Sequence, residues 1–356
     1  MPAAPTPRTP VRTALLVLVV SVTLSLLLAR AGVPSAVLFG SLVGGMAHAL
    51  TSSTPLAVPA VAFRVGQALI GITIGTLVSL STLAGMGDDL GPILAVTLGT
   101  VAISLAAGRL LALRRDVSAV TGSFAMVAGG ASGVVAMAHD LGADDRVVTV
   151  VQYLRVLIVL VTLPVVTAAV FAPDRGVATL RQATAPLTHD LAYVAIALLA
   201  GLVLARYVPI PTGTLLAPMA VAAVLVSTGW LGDVAVPTGL QWLAYALIGV
   251  QVGLRFTRAS LASITRMLPV VLVLIVAMIL LTGLMGVALA WVTPVDGLTA
   301  YLATTPGGLF AVLATAADSG SDVTYVTGVQ VFRLLVILLL TPLLARWWGS
   351  RGQRGR

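Results

Sequence analysis

Two short stretches carry the chemistry of this sequence. In "VTVVQYLRVLIVLVTLP", Thr149, Gln152 and Arg155 follow one another at intervals of three, within an otherwise apolar run that ends at Pro164. The same spacing returns in Thr327, Gln330 and Arg333, with a closing Pro342. On a helix that interval sets all three side chains along one slowly turning stripe. Arg333 stands about ten residues into its segment, roughly 15 Å deep at 1.5 Å per residue. An arginine near the middle of a bilayer costs about 3 kcal/mol on insertion scales, so it needs a polar interior and a partner. Two chemistries fit. Each guanidinium can pair internally with Asp140, Asp144, Asp318 or Asp322, or it can serve as countercharge for a bound anion.

Paired glycines precede each stripe. Gly129 and Gly130, followed by Ser132 and Gly133, sit in "AMVAGGASGVVAMAHDLGADD"; Thr304, Thr305, Gly307 and Gly308 sit in "LATTPGGLFAVLATAADSGSD". Glycine frees the backbone and proline removes a donor, so a regular helix is expected to break at both places. Irregular backbone at membrane depth persists only inside protein or beside a water-filled cavity. The freed N–H groups would attract an anion at the start of the following helix, with Ser132, Thr304 and Thr305 as hydroxyl donors. Close packing of helices equally explains a glycine.

The elements that must position these groups are membrane helices. Of 356 residues 59% are hydrophobic and 9% charged, with a mean hydropathy of +1.09. That leaves too little polar surface to coat a soluble globule of this length. The formal charge of +8 comes from arginines scattered at the ends of apolar segments, not from a basic face, so no direct nucleic-acid partner is expected. Without Cys or Glu, and with three histidines (His48, His139 and His189) lacking ligand spacing, neither a metal site, a cofactor nor an enzyme activity is expected. The first apolar segment has a counterpart later in the chain, which argues for a retained helix and against a cleaved leader.

Self-similarity fixes the organisation. From Gly129 to Pro164 the chain aligns without a gap on Gly307 to Pro342, an offset of 178 residues (129 to 307), with sixteen identities in thirty-six positions. "ALIGITIG" at 68–75 returns as "ALIGVQVG" at 246–253. The sequence therefore divides into a first repeat at 1–172, a linker at 173–186, a second repeat at 187–347 and a basic tail at 348–356. Each repeat shows six apolar segments, the fifth being the glycine-broken one. If all six crossed, Arg255, Arg258 and Arg266 would fall outside, against the positive-inside rule. If the fifth is re-entrant, each repeat crosses five times and the second is inverted, which places most arginines and both termini on the cytoplasmic side. The expected fold is all-α and integral to the membrane, with about ten transmembrane helices in two inverted five-helix repeats, each holding a Gly-rich re-entrant or broken helix. Trp347 and Trp348 beside the basic tail read as an interfacial belt.

The duplicated unit, "AGG" or "PGG" before an apolar helix, then D-x-G-x-D, then T-x-x-Q-x-x-R and a closing Pro, resembles the bacterial AbrB duplication-domain membrane proteins, over almost the whole chain. Membership would imply a label of gene-expression regulator. The paired glycines are also similar to the re-entrant loops of sodium/glutamate and 2-hydroxycarboxylate symporters, although the G-G-x-G order is not kept, so only their two-hairpin architecture is implied. The expected function is secondary transport of a small anionic or zwitterionic solute such as a carboxylate or amino acid, coupled to Na⁺ or H⁺, in the bacterial inner membrane. The alternative is a membrane solute sensor that affects expression indirectly. Expected partners are the solute, lipid and a second copy of the chain.

Overall fold

The computed structural model describes residues 10–52, 56–78, 80–114, 117–127, 143–171, 186–207, 212–229, 233–258, 262 and 265–352. Gly129, Gly130, Ser132, Gly133 and Asp140 lie outside them. Among the described residues the regular structure is entirely helical. The helices are α1 (Pro10–Arg30), α2 (Ala36–Thr51), α3 (Ala60–Gly75), α4 (Leu80–Gly85), α5 (Leu90–Leu111), α6 (Ala119–Met126) and α7 (Asp145–Val166, extended by a π-turn at Thr167–Phe171), then α8 (Leu187–Tyr207), α9 (Gly213–Ser227), α10 (Thr238–Gly253), α11 (Leu268–Val292), α12 (Gly297–Thr304), α13 (Leu309–Ser319) and α14 (Val323–Gly352). The 178-residue offset recurs in their boundaries: α3 begins at 60 and α10 at 238, α5 at 90 and α11 at 268, α6 at 119 and α12 at 297, α7 at 145 and α14 at 323.

Among the described residues five helices are long and apolar enough to cross a membrane: Thr13–Arg30, Leu90–Leu111, Arg146–Phe171, Leu187–Tyr207 and Leu268–Val292. Others, such as Ala36–Thr51 and Ala60–Gly75, are apolar but shorter, below the roughly 20 residues a full crossing takes. The polarity is that of a protein in lipid. Leu15, Leu18 and Leu26 on α1 and Val273, Leu280 and Leu284 on α11 are exposed, while Gln152, Arg155, Gln330 and Arg333 are buried.

The chain divides into two compact units, and each draws equally on both repeats. One comprises α1–α3 and α8–α10, the other α4–α7 and α11–α14. In the first unit, glycines let backbones meet. Gly71 and Gly75 of α3 abut Leu215 and Met219 of α9, and reciprocally Gly249 and Gly253 of α10 abut Leu38 and Leu42 of α2. A four-residue step on one helix matches a four-residue step on its neighbour, so both pairs run parallel. Such close approach by small residues is how helices associate without a hydrophobic drive.

In the second unit the equivalent helices α5 and α11 lie antiparallel: Gly99 meets Met285, and Ser104 Oγ lies 3.7 Å from Met278 Sδ. Helices α6 and α7 pack at one end of this pair, through Phe124, Val148 and Val151 against Leu111 and Val271. Helices α12 and α14 pack at the other end, through Ala300, Ala303 and Val329 against Ile93 and Leu289.

Each short helix ends just before its glycine pair, and residues 128–142 of the first repeat lie outside the described residues. α6 stops at Val127, which is extended. α12 stops at Thr305, after which Gly307 (φ 127°) and Gly308 (φ 70°) take conformations closed to most side chains. The chain then doubles back. Asp322 N donates to Thr299 Oγ1 at 2.9 Å, so the starts of α12 and α14 lie side by side, although 23 residues separate them. Asp144 N and Thr121 Oγ1 do the same at 3.0 Å for α6 and α7.

Candidate functional site

Each half-helix needs two things: a cap where it starts and partners for the carbonyls exposed where it stops. Its start is capped by Ser118, whose Oγ accepts from Thr121 N at 3.1 Å, or by Asp296, whose Oδ2 accepts from Leu298 N and Thr299 N at 3.0 and 3.2 Å. Its last carbonyls are met by the glutamine and arginine of the stripe. Gln152 Nε2 donates to the carbonyls of Phe124 (2.7 Å) and Val127 (2.9 Å), and Arg155 Nη1 to that of Met126 (2.9 Å). In the second repeat Gln330 Nε2 donates to Leu302 (2.8 Å), Ala303 (3.3 Å) and Thr305 (3.2 Å), and Arg333 Nη1 to Thr304 (3.3 Å) and Thr305 (3.0 Å). The two side chains are also bound to each other: Arg155 Nη2 donates to Gln152 Oε1 at 2.6 Å, and Arg333 Nη2 to Gln330 Oε1. All four are at most 5% exposed.

The arrangement explains how the membrane accepts the charge. A helix C-terminus carries about half a negative charge, and carbonyl bonds to a cation are worth more than neutral ones. The expected ion pairs to Asp144 and Asp322 are not formed. Both carboxylates instead cap helices: Asp144 Oδ1 accepts from Arg146 N (2.9 Å) and Val147 N (3.2 Å), and Asp322 Oδ1 from Tyr325 N (3.0 Å), while Thr82 donates to Asp322 Oδ2 at 3.2 Å. Anionic groups are favoured at these N-termini, which offer free N–H groups. Asp318 lies half-buried near the end of α13.

Thr304 and Thr305, expected as hydroxyl donors to a solute, turn their hydroxyls to the carbonyl of Tyr301 and offer main-chain oxygens to Arg333. Thr149 is half-buried on α7, and among the described residues the buried Thr327 Oγ1 has no hydrogen-bond partner. Reading the sequence alone missed the carbonyl partners, together with Thr121 and Thr299. The signal was present: both threonines obey the 178-residue offset (121 to 299) and stand three residues after a Ser or Asp, a helix-start pattern.

The two broken ends converge toward the middle of the α5/α11 pair. Val127 packs with Val101, halfway along α5, and with Ile337 of α14. The other tip lies against α7: a Cβ at Gly307 would stand 3.4 Å from Arg155 Nε and 4.0 Å from Val156, and one at Gly308 would stand 3.9 Å from Leu160. Residues 307–310 at this tip are half-buried. The described residues contain no group of three or more His, Cys, Asp or Glu able to hold a metal ion.

Comparison with known proteins agrees with the duplicated motif. Residues 37–349 match the AbrB family, described as "Transition state regulatory protein AbrB". The chain is 34% identical over 331 residues to "Putative regulator AbrB" of Escherichia coli (strain K12), covering 92% of this chain and 94% of the relative. It is 24% identical over 292 residues to "Uncharacterized protein YhjN" of Bacillus subtilis (strain 168), covering 78% and 76%. With its apolar helices and its match along nearly the whole length, the chain belongs to the AbrB family of membrane proteins.

Proposed function

We propose that this protein is a secondary transporter for a small anionic or zwitterionic solute, driven by a Na⁺ or H⁺ gradient, and not an enzyme. The observation that carries the reading is the pair of broken helices that enter from opposite ends of α5/α11 and bring Gln152–Arg155 and Gln330–Arg333 into one buried region. Transporters with inverted repeats build their sites from two discontinuous helices of this kind. In this reading the chain crosses ten times, both hairpins are re-entrant and both termini are cytoplasmic. The antiparallel run of the equivalent helices α5 and α11 supports the inversion. So does the parallel packing of α3 with α9, because in this reading α2 and α3 are consecutive crossings and α9 is the counterpart of α2.

The names of the family and of the Escherichia coli relative favour a second reading, a solute sensor that uses the same region without moving anything. Flux separates the two. Vesicles reconstituted with the wild-type chain should take up a labelled carboxylate or amino acid under an imposed Na⁺ or H⁺ gradient, and Arg333→Gln should abolish uptake. Solute binding with no flux under any gradient would leave the sensor.

A further inference from the structure

We infer that the first turn of α13, together with Arg155, is a subsite for the carboxylate of a small monoanionic solute; this deepens the transport reading above and rests on it. Helix α13 starts differently from its neighbours. Its N-cap, Gly308, supplies no side chain, and among the described residues no group accepts from the N–H groups of Gly308, Leu309 and Phe310. The N–H groups of Ala311 and Val312 are already satisfied by the Gly308 carbonyl at 2.8 and 2.9 Å. Three donors at the positive end of an eleven-residue helix are thus left at a half-buried tip.

The independent observation is Arg155. Its side chain is 3% exposed, and among the described residues its buried Nε has no hydrogen-bond partner. The two other guanidinium nitrogens are held by Met126 and Gln152, so Nε is fixed in place with one N–H unspent. It is the nearest atom to the position a Cβ of Gly307 would take, 3.4 Å away, which puts it beside the residue just before the α13 N-cap. A buried charged donor without an acceptor costs about as much as a lost charge-assisted bond, and a bound anion removes that penalty. Arg333 adds a second positive charge acting on Arg155.

A carboxylate is the chemical match: it is planar, accepts through two oxygens with about four lone-pair directions, and can bridge peptide N–H groups and a guanidinium edge. Val156 and Leu160 bring apolar surface to the same tip, which suits a short aliphatic remainder.

The test uses the full chain in detergent with propionate as probe, propionamide as its neutral isostere and chloride to hold ionic strength. Propionate should raise the unfolding temperature and slow amide hydrogen exchange in the peptide covering 307–312, while propionamide does neither. Arg155→Lys keeps a positive charge but loses the Nε donor, and should weaken propionate binding by roughly ten-fold or more. If that variant does not fold, the wild-type exchange pattern decides alone. The subsite is refuted if propionate stabilises the protein with exchange at 307–312 unchanged, if propionamide protects equally, or if propionate has no effect. Carboxylate-specific protection without flux in vesicles supports the subsite and removes only the transport reading.

Discussion

Replacing Gln330 by leucine tests the hairpin-closing role of the glutamine most directly. The side chain is 2% exposed; its amide donates to the carbonyls of Leu302, Ala303 and Thr305 and its Oε1 accepts from Arg333 Nη2. Leucine fills much the same volume and removes every one of these bonds. The Thr305 carbonyl still receives Arg333 Nη1 at 3.0 Å. The carbonyls of Leu302 and Ala303 and the Nη2 donor of Arg333 are left without their partners. At about 1–3 kcal/mol for each unsatisfied buried group, less the gain from burying an apolar side chain, the expected loss is about 3–5 kcal/mol. Unfolding in mixed micelles with increasing denaturing detergent measures it. Combining Gln330→Leu with Arg333→Met in a double-mutant cycle should return a coupling of about 1–3 kcal/mol, since the two share bonds. A loss under about 1 kcal/mol for the single variant, or additive effects in the cycle, would show that this pair does not hold the end of α12.

The same logic extends elsewhere. Asp144→Ala and Asp322→Ala each remove an N-cap, of α7 and α14, and should lower stability by about 1 kcal/mol in the same unfolding assay. Gly71→Ala and Gly249→Ala push a methyl into the carbonyls of Leu215 and Leu38, and each should destabilise by about 1–3 kcal/mol. The chain has no native cysteine, so single cysteines report topology directly. In whole cells a membrane-impermeant thiol reagent should label Gly87→Cys, and should label Arg114→Cys only after the cells are opened. Labelling of both in intact cells would contradict the inverted ten-crossing arrangement.

The sequence by itself determined that this is a helical membrane protein built twice. Composition is a property of the whole chain, and a repeat of sixteen identities in thirty-six positions needs no coordinates to be seen. It also located the helix break after Thr305, because a pair of glycines at 307–308 and a preceding Pro306 act on their own backbone. What it left open was the partner of each arginine. Charge alone suggested Asp140, Asp144, Asp318 or Asp322, which are close in sequence and opposite in sign. The tertiary structure decided for carbonyls instead, because a helix that ends inside protein exposes oxygens that appear nowhere in a residue list, while the carboxylates are used at the nearby N-termini. Only folding could also show that the compact units cut across the repeats, α1–α3 joining α8–α10, since which helix face meets which depends on glycine contacts between residues 144 (71 to 215) to 211 (38 to 249) positions apart. The donor left over on Arg155 is likewise a fact of packing: its twin at Arg333 follows the same Thr, Gln, Arg spacing, yet among the described buried side chains only Arg155 keeps a guanidinium nitrogen without an acceptor.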